Sequence, residues 1–409
     1  MKGKIIMKNF NKQCGEVSLF VVIFATLLIT VLTISFVRIM IQSQQQASAA
    51  DLSQSAYDSA QVGVEDAKRA IIRYQTMCAN GESDCLNSSK ISSPDCNIAV
   101  SQLSDVEDEG GEIQVKTGSA DTLAQAYTCV IINPQTENYL GVLGADASKF
   151  IPLVGASDFD TIKIDWFNSK DLPCNSDING CTGAAFEVDV PVISIDKPLL
   201  QKNSWNDAAA PNRPSIMRAQ LIEHINTDFS LTDFEGASES VDKGSNNTLF
   251  LYPSNIDGIP KFIFDERKKN KLNSSPTFVE CSNSLAGGGY ACSAIIPLPK
   301  PVTSKDRSVY LNLKSFYRQS NYKITLINNL SGNCDSASAA GCVKFDGVQI
   351  SIDSTGRAND IFRRVQSRVE PTNNFPYPEN AIDLKYNLCK VFGVTDKPEE
   401  FFGNTNCTP

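Results

Sequence analysis

Few residues in this chain have the type and spacing that covalent chemistry needs. One histidine, His224, serves 409 residues, so any serine or cysteine triad would have to use it as the base. Its surroundings, AQLIEHINTDF, read as a strand edge or a loop. The 46 acidic residues allow a glycosidase-like pair in principle, but no two of them are singled out by spacing. Asn175, Asp177, Asn179 and Gly180 fall at positions one, three, five and six of a calcium loop. The twelfth position, however, is Phe186, and Glu187 comes one step late. The same residues lie between Cys174 and Cys181, so they read as a polar turn in a small cysteine-bracketed loop. Gly287-Gly288-Gly289-Tyr290 lacks the Lys-Ser/Thr of a phosphate loop and reads as a flexible turn. The expectation is no catalytic, cofactor-binding or metal-ligating residue, no cofactor, and no enzyme.

The cysteines carry a clearer signal. Cys14 stands alone near the start, while twelve others follow an apolar segment: Cys78, Cys85, Cys96, Cys129, Cys174, Cys181, Cys281, Cys292, Cys334, Cys342, Cys389 and Cys407. An even set without companion histidines or CxxC pairs points to disulfides in an oxidising compartment rather than zinc. Near neighbours in Ser/Gly/Asn-rich loops suggest pairing of 78 with 85, 174 with 181, 281 with 292 and 334 with 342. Spacing alone leaves other connectivities open.

The elements that position these loops start with a membrane-length segment. Val17 to Val37 is twenty-one residues without a charge, and at about 1.5 Å per residue it spans roughly 30 Å of hydrocarbon. Such a run is longer than the apolar core of a cleaved secretory signal. Lys2, Lys4, Lys8 and Lys12 precede it with no acid among them, which predicts a cytoplasmic N-terminus and a translocated body. The cysteine count beyond the segment predicts the same orientation. The pattern then continues without Pro through Gln75, with Gly63 as the only breaker. Ala56, Ala60, Val64, Ala67, Ile71 and Tyr74 form one apolar stripe at helical spacing. A helix of about 58 residues would be roughly 85 Å long, apolar below and amphipathic above.

Beyond a Ser/Asn/Asp-rich stretch, alternating segments read as strands: EIQVKT, AYTCVIIN, FDTIKIDWFN, FEVDVPVIS, TLFLYP, KFIFDE, YACSAIIPL, VYLNLKSFY, YKITLIN, VKFDGVQISID and IFRRVQSRVE. Val348, Ile350 and Ile352 point to one face, and Gln349, Ser351 and Asp353 to the other. The fold class expected is α+β: a long N-terminal helix, transmembrane then amphipathic, packed on an antiparallel β-sheet, with a β-rich inserted or second lobe stabilised by disulfides. The expected organisation is a basic leader over 1–15, the helix over 16–75 with its membrane span at 17–37, and a first β region over 76–171. The inserted or second lobe then covers 172–292, and closing strands with a cysteine-bearing tail cover 293–409.

Removing the four leader lysines from the net charge of −9 leaves −13 for the rest. An acidic body argues against nucleic acid as a partner, because backbone phosphates are bound mainly through Lys and Arg. Two basic clusters stand out against it, Arg267-Lys268-Lys269 with Lys271, and Arg363-Arg364 with Arg368. Both read first as solvated faces. On the second, alternation puts Arg364 and Arg368 on one side of a strand and Arg363 on the other.

Lys12-Gln13-Cys14-Gly15 before Glu16-Val17-Ser18-Leu19-Phe20-Val21-Val22-Ile23-Phe24 is a basic leader ending in glycine, followed directly by an apolar helix. Together with Ala56-Tyr57-Asp58-Ser59-Ala60-Gln61-Val62-Gly63-Val64-Glu65-Asp66-Ala67, this plan resembles the type IV pilin family and looks closest to its minor, PilX-like members. The likeness covers about the first 75 residues in detail and the remainder in style. It implies prepilin-peptidase processing between Gly15 and Glu16, and closing strands like the final hairpin of pilin-like domains. Two positions depart from the family pattern. Glu16 would be the new N-terminal residue, and Phe20 stands where the fifth mature position usually carries glutamate. The resemblance therefore implies either a specialised tip-type minor subunit with a structural and adhesive role, or a stand-alone adhesin or receptor on an uncleaved anchor. The partners implied are the membrane, other pilin subunits through the N-terminal helix, and a host-cell or surface ligand. The localisation implied is a single pass with an extracellular body, assembled in a pilus. The sequons at Asn87, Asn246, Asn273, Asn329 and Asn406 need a eukaryotic secretory route and have no role in that setting.

Overall fold

The computed structural model describes residues 16–81, 91–104, 106–107, 110–116, 125–172, 186–191, 202–205, 210–223, 247–255, 277–303, 309–329 and 341–371. It is broadly α+β, with one long apolar N-terminal helix followed by antiparallel sheets and disulfides. Helix α1 runs unbroken over Glu16–Ala79, about 95 Å at the standard rise. No Pro interrupts it, and it passes through Gln42–Ala50 and Gly63 without a break. It ends four residues beyond the expected boundary at 75. Asn80 N–H donates to Thr76 O at 3.0 Å and Gly81 N–H to Cys78 O at 3.1 Å, with Gly81 at φ 73°. A left-handed glycine is the usual way to satisfy the last carbonyls of a helix.

Two short helices, α2 (Ile98–Leu103) and α3 (Lys202–Trp205), accompany fourteen described strands. In chain order these are β1 (Ile113–Lys116), β2 (Gln125–Thr136), β3 (Tyr139–Leu143), β4 (Ser148–Pro152), β5 (Phe159–Asn168), β6 (Ile216–Glu223), β7 (Asn247–Ser254), β8 (Thr277–Glu280), β9 (Tyr290–Val302), β10 (Val309–Phe316), β11 (Ser320–Ile327), β12 (Cys342–Val343), β13 (Phe345–Ala358) and β14 (Ile361–Val369). They form a sheet of order β1-β2-β13-β14, a sheet of order β4-β10-β6-β7-β8, and a sheet of order β12-β11-β5-β9 with β3 also on β11. The pairs β1–β2, β3–β11, β4–β10, β5–β9, β5–β11, β6–β7, β6–β10 and β11–β12 are antiparallel, and β7 with β8 is parallel.

Strands β6 to β8 lie within the span expected as an inserted or second lobe, 172–292. They share a sheet with β4 and β10, which come from the chain on either side. Ladder hydrogen bonding therefore joins this span to the chain on either side of it. FEVDVPVIS, read as a strand, forms only an isolated bridge, Glu187 with Ser284, over its described part. KFIFDE lies outside the described residues.

The chain divides into two compact units. One holds Met1–Glu65, Val106–Val130 and Ser354–Val365, and the other Asp66–Asp105, Ile131–Asp353 and Gln366–Pro409. In the first, Ala56 and Ala60 of α1 are fully buried. A Cβ on Gly356 of β13 would come within 2.2 Å of Ala56 O and 2.3 Å of Ala60 N. A Cβ on Gly63 would reach Ser354 Oγ at 2.4 Å and Val130 Cγ2 at 2.8 Å. Small residues here replace large ones because helix backbone and strand backbone nearly touch. The two-residue turn Asn359-Asp360 joins β13 to β14, with Asn359 at φ 54°, as tight hairpins favour. Arg357 pairs with Glu112 at 2.5 Å, and Thr128 Oγ1 donates to Thr355 O at 3.3 Å.

In the second unit, the inner faces of the two larger sheets share one core. Ile162, Ile164 and Trp166 of β5, with Ile324 and Leu326 of β11, lie in the same apolar cluster as Met217, Ala219 and Leu221 of β6 and Leu311 and Leu313 of β10. Alternation along each strand sends every second residue into this core, and the sheets pack as a sandwich. The upper part of α1 in this unit is tied to the end of α2. Ser104 Oγ donates to Asp66 O at 2.7 Å, and Arg73 Nη1 donates to Leu103 O at 3.3 Å.

Replacing Gly356 with alanine forces a methyl group into helix backbone, which has no rotamer with which to give way. The expected loss is about 1–3 kcal/mol, read as a lower urea midpoint than wild type. An unchanged midpoint would mean that helix and strand are not held at this separation.

Candidate anchor helix and the cysteine-bridged body

The lower part of α1 is a surface that water does not suit. The candidate span begins at Leu19, has a mean hydropathy of 2.7 over its most apolar window, and is unburied there. Seventeen large apolar side chains from Leu19 to Ile41 are at least half exposed. At the usual gain per buried side chain, an apolar surrounding is worth on the order of 20 kcal/mol to this stretch, more than the whole stability of an ordinary domain.

The segment is also self-sufficient in hydrogen bonds. Thr26 Oγ1 donates back to Val22 O and Ile23 O at 3.0 and 2.9 Å, Thr30 Oγ1 to Leu27 O at 2.8 Å, Thr33 Oγ1 to Thr30 O at 2.9 Å, and Ser35 Oγ to Val31 O at 2.9 Å. A helix whose hydroxyls bond its own carbonyls offers lipid no unsatisfied polar group. One long apolar N-terminal helix of this kind is a candidate membrane span or signal anchor.

Further up, the apolar stripe is buried. Ala56, Ala60, Val64, Ala67 and Ile71 are covered, while Tyr74 is half-buried. Burial spreads beyond the stripe to Ser59, Asp66 and Ala70. The Asp66 carboxylate accepts from Arg69 one turn on, so its burial leaves no bare charge. Gly15 lies outside the described residues, and Glu16 is the first residue of α1.

Cys281 is bonded to Cys292, and the two are also paired across an antiparallel bridge. Cys78, Cys96, Cys129 and Cys342 are disulfide-bonded as well. Cys85, Cys174, Cys181, Cys334, Cys389 and Cys407 lie outside the described residues, so the pairings of 78 with 85, 174 with 181 and 334 with 342 do too. Inside the 281–292 loop, Gly288 and Gly289 sit at φ 75° and 81°, and Gly288 N–H donates to Leu285 O at 2.9 Å. The triple glycine is thus the tip of a turn. His224, the 175–180 turn and the 267–271 basic cluster are outside the described residues.

The second basic cluster lies on β14. Arg363 Nε donates to Ser53 Oγ of α1 at 2.8 Å. Arg368 Nη1 donates to Asn138 O at 2.6 Å and to Gln349 Oε1 at 3.2 Å. These arginines fasten elements together as well as facing solvent. Gln349, read from alternation as facing water, is buried. Its Nε2 donates to Leu140 O at 2.7 Å and its Oε1 accepts from Leu140 N–H at 3.0 Å, because β3 covers that face locally.

Two polar clusters were not legible in the sequence. Asp165 is buried between Lys323 Nζ at 3.1 Å and Lys163 Nζ at 3.7 Å, and Lys323 also lies 5.3 Å from the centre of the Tyr290 ring. Lys163 and Asp165, two apart in FDTIKIDWFN, marked a shared strand face, but Lys323 comes from far along the chain. Burial and the neighbouring Tyr322 and Glu370 push the Tyr139 hydroxyl up. It donates to Glu370 Oε1 at 2.6 Å, and Lys149 binds the other carboxylate oxygen at 2.9 Å. Both clusters are closed on their own partners, as structural ion pairs are. No group of three or more His, Cys, Asp or Glu suited to a metal occurs among the described residues.

No protein-family model matches the chain, and searches of curated proteins and of solved structures found no match.

Opening the Cys281–Cys292 bridge by replacing both residues with serine removes a loop constraint worth about 3 kcal/mol. The expected result is a lower urea midpoint for the double variant under oxidising conditions, with the two proteins converging once wild type is reduced. Equal midpoints before reduction would show that the bridge does not contribute.

Proposed function

We propose that this protein is a type IV pilin-like minor subunit with a structural and adhesive role. In this reading α1 crosses the membrane with the lysine-rich leader in the cytoplasm, and its upper half lies across the sheet of the body like a pilin spine. The β-rich, cysteine-bridged remainder is the presented surface. No reaction belongs to it. The observation that carries the reading is the continuity of α1 over Glu16–Ala79, bare and apolar at its base and buried on one stripe above.

Several features lend support. The near contact of Gly356 with the backbone of Ala56 and Ala60 gives the spine a seat in the sheet. The order β1-β2-β13-β14 ends on a hairpin of late strands, in keeping with the final hairpin of pilin-like domains. Four lysines before the apolar run and bonded cysteines after it agree on the orientation. A bare helix of this length needs lipid or other helices around it, and a filament core of identical or related helices supplies both in turn. The ligand of the body would be a host-cell or other surface.

The experiment is in-membrane crosslinking in piliated cells with single cysteines placed between Leu19 and Val37, paired with N-terminal sequencing of the mature protein. Adducts with other pilin subunits, on a chain beginning at Glu16, are the expected result. Only monomeric protein that retains Met1 would refute assembly and leave a stand-alone anchored adhesin.

A further inference from the structure

The sheet of order β4-β10-β6-β7-β8 buries one face in the sandwich core, and its other face carries an unusual row. Register places Lys314 of β10 directly opposite Arg218 of β6 on one side and Ser148 of β4 on the other, while Arg218 stands opposite Phe250 of β7. Leu311, Leu313, Met217 and Ala219 lie in the core and Ile216 and Phe316 in the outer cluster, so alternation puts both cations on the outer face. Like charges directly opposite each other destabilise a sheet. Elsewhere in this molecule a buried charge is answered: Asp165 has two lysines, and even the exposed Glu370 has a lysine and a tyrosine.

Among the described residues the Arg218 guanidinium makes no hydrogen bond or ion pair, and its Nε is buried without a partner. Burial alone pulls the Arg218 pKa down, with no carboxylate opposing it. Lys314 Nζ lies 5.3 Å from the centre of the Phe316 ring and has no carboxylate within ion-pair distance among the described residues. The acid it does influence, Asp146, is already held by Lys202 at 2.6 Å and by the Tyr317 N–H at 2.9 Å. In the next row Asn312 stands opposite Gln220, and its Oδ1 is buried without a donor. Arg218 and Lys314 are each only partly buried, so solutes can approach them.

We propose that this face holds a small oxyanion, a phosphate or carboxylate group, between Arg218 and Lys314. The planar fork of the arginine suits two oxygens of such a group, and the lysine supplies a second charge. The site is independent of the pilin-like reading, since it concerns the body alone.

The test uses the full-length chain in detergent. Its melting temperature is followed by fluorescence during titration with sodium phosphate, then with sodium acetate, each against sodium chloride at matched ionic strength. A saturable rise of about 2–5 °C is expected from at least one of the two anions, and which one responds separates a phosphate from a carboxylate site. Phosphate also stabilises proteins by exclusion, so Arg218→Gln and Lys314→Gln are titrated in parallel and should lose the rise. Lys314→Gln, on the neighbouring strand, keeps the test open if Arg218→Gln does not fold. Wild type responding no more than to chloride, or folded variants responding as wild type does, would overturn the proposal.

Discussion

The interaction on which the remaining features depend is the desolvation of α1, which is met differently along its length. From Leu19 to Val37 the helix carries no charge and its hydroxyls bond its own carbonyls, so this part is suited to surroundings from which water is excluded. From Ala56 upward the apolar residues narrow to a stripe, and backbone and side chains of the body cover it. The polar stretch between, from Gln42 to Ser55, holds the two regimes on one axis because nothing in it breaks the helix. A kink there would part the buried stripe from the apolar base, so continuity is the property that keeps a candidate membrane span and a packed stripe on one helix.

Close approach sets the packing at that seat. Ala56, Ala60, Gly63 and Gly356 are small where a larger side chain would push helix and strand apart. Such contacts gain dispersion over a wide area and lose it quickly with separation, so a single methyl group matters more than its hydrophobicity suggests. Polar fasteners such as Arg363 with Ser53, and Arg357 with Glu112, then hold the rim.

In the sandwich, inner faces are ordinary apolar core and outer faces carry the distinctive chemistry. One outer face closes its charges internally, with Asp165 between Lys163 and Lys323. The other leaves Arg218 and Lys314 as neighbours with no acid among the described residues to pair them. A buried ion and its partner are commonly a structural device, whereas adjacent uncompensated cations draw an anion from outside. The contrast between these two faces separates a fastening from a site.

Local pattern alone was enough for the helix, its apolar base, its stripe and most strands, because period and run length reside in neighbouring residues. FDTIKIDWFN reads as a strand and spans β5, and Ala56, Ala60, Val64, Ala67 and Ile71 read as a buried stripe and are buried. Short or mixed segments did not declare themselves: β3, β4 and β8 are only four or five residues long, and β6 carries Arg218 and Gln220 among its apolar residues. FEVDVPVIS alternates as well as any strand, yet over its described part, 186–191, it forms only an isolated bridge, since alternation prepares a face without providing a neighbour. Gln349 reads as wet and is buried under β3. Sheet membership, the crossing of the 172–292 boundaries, and the meeting of Arg218 with Lys314 or Asp165 with Lys323 were decided only by tertiary structure. The joins that decide them, such as β10 with β6, β10 with β4 and β11 with β5, pair residues far apart in the chain, and the hydrogen-bonding backbone that makes such pairs is the same at every position, so side-chain pattern cannot name the partner.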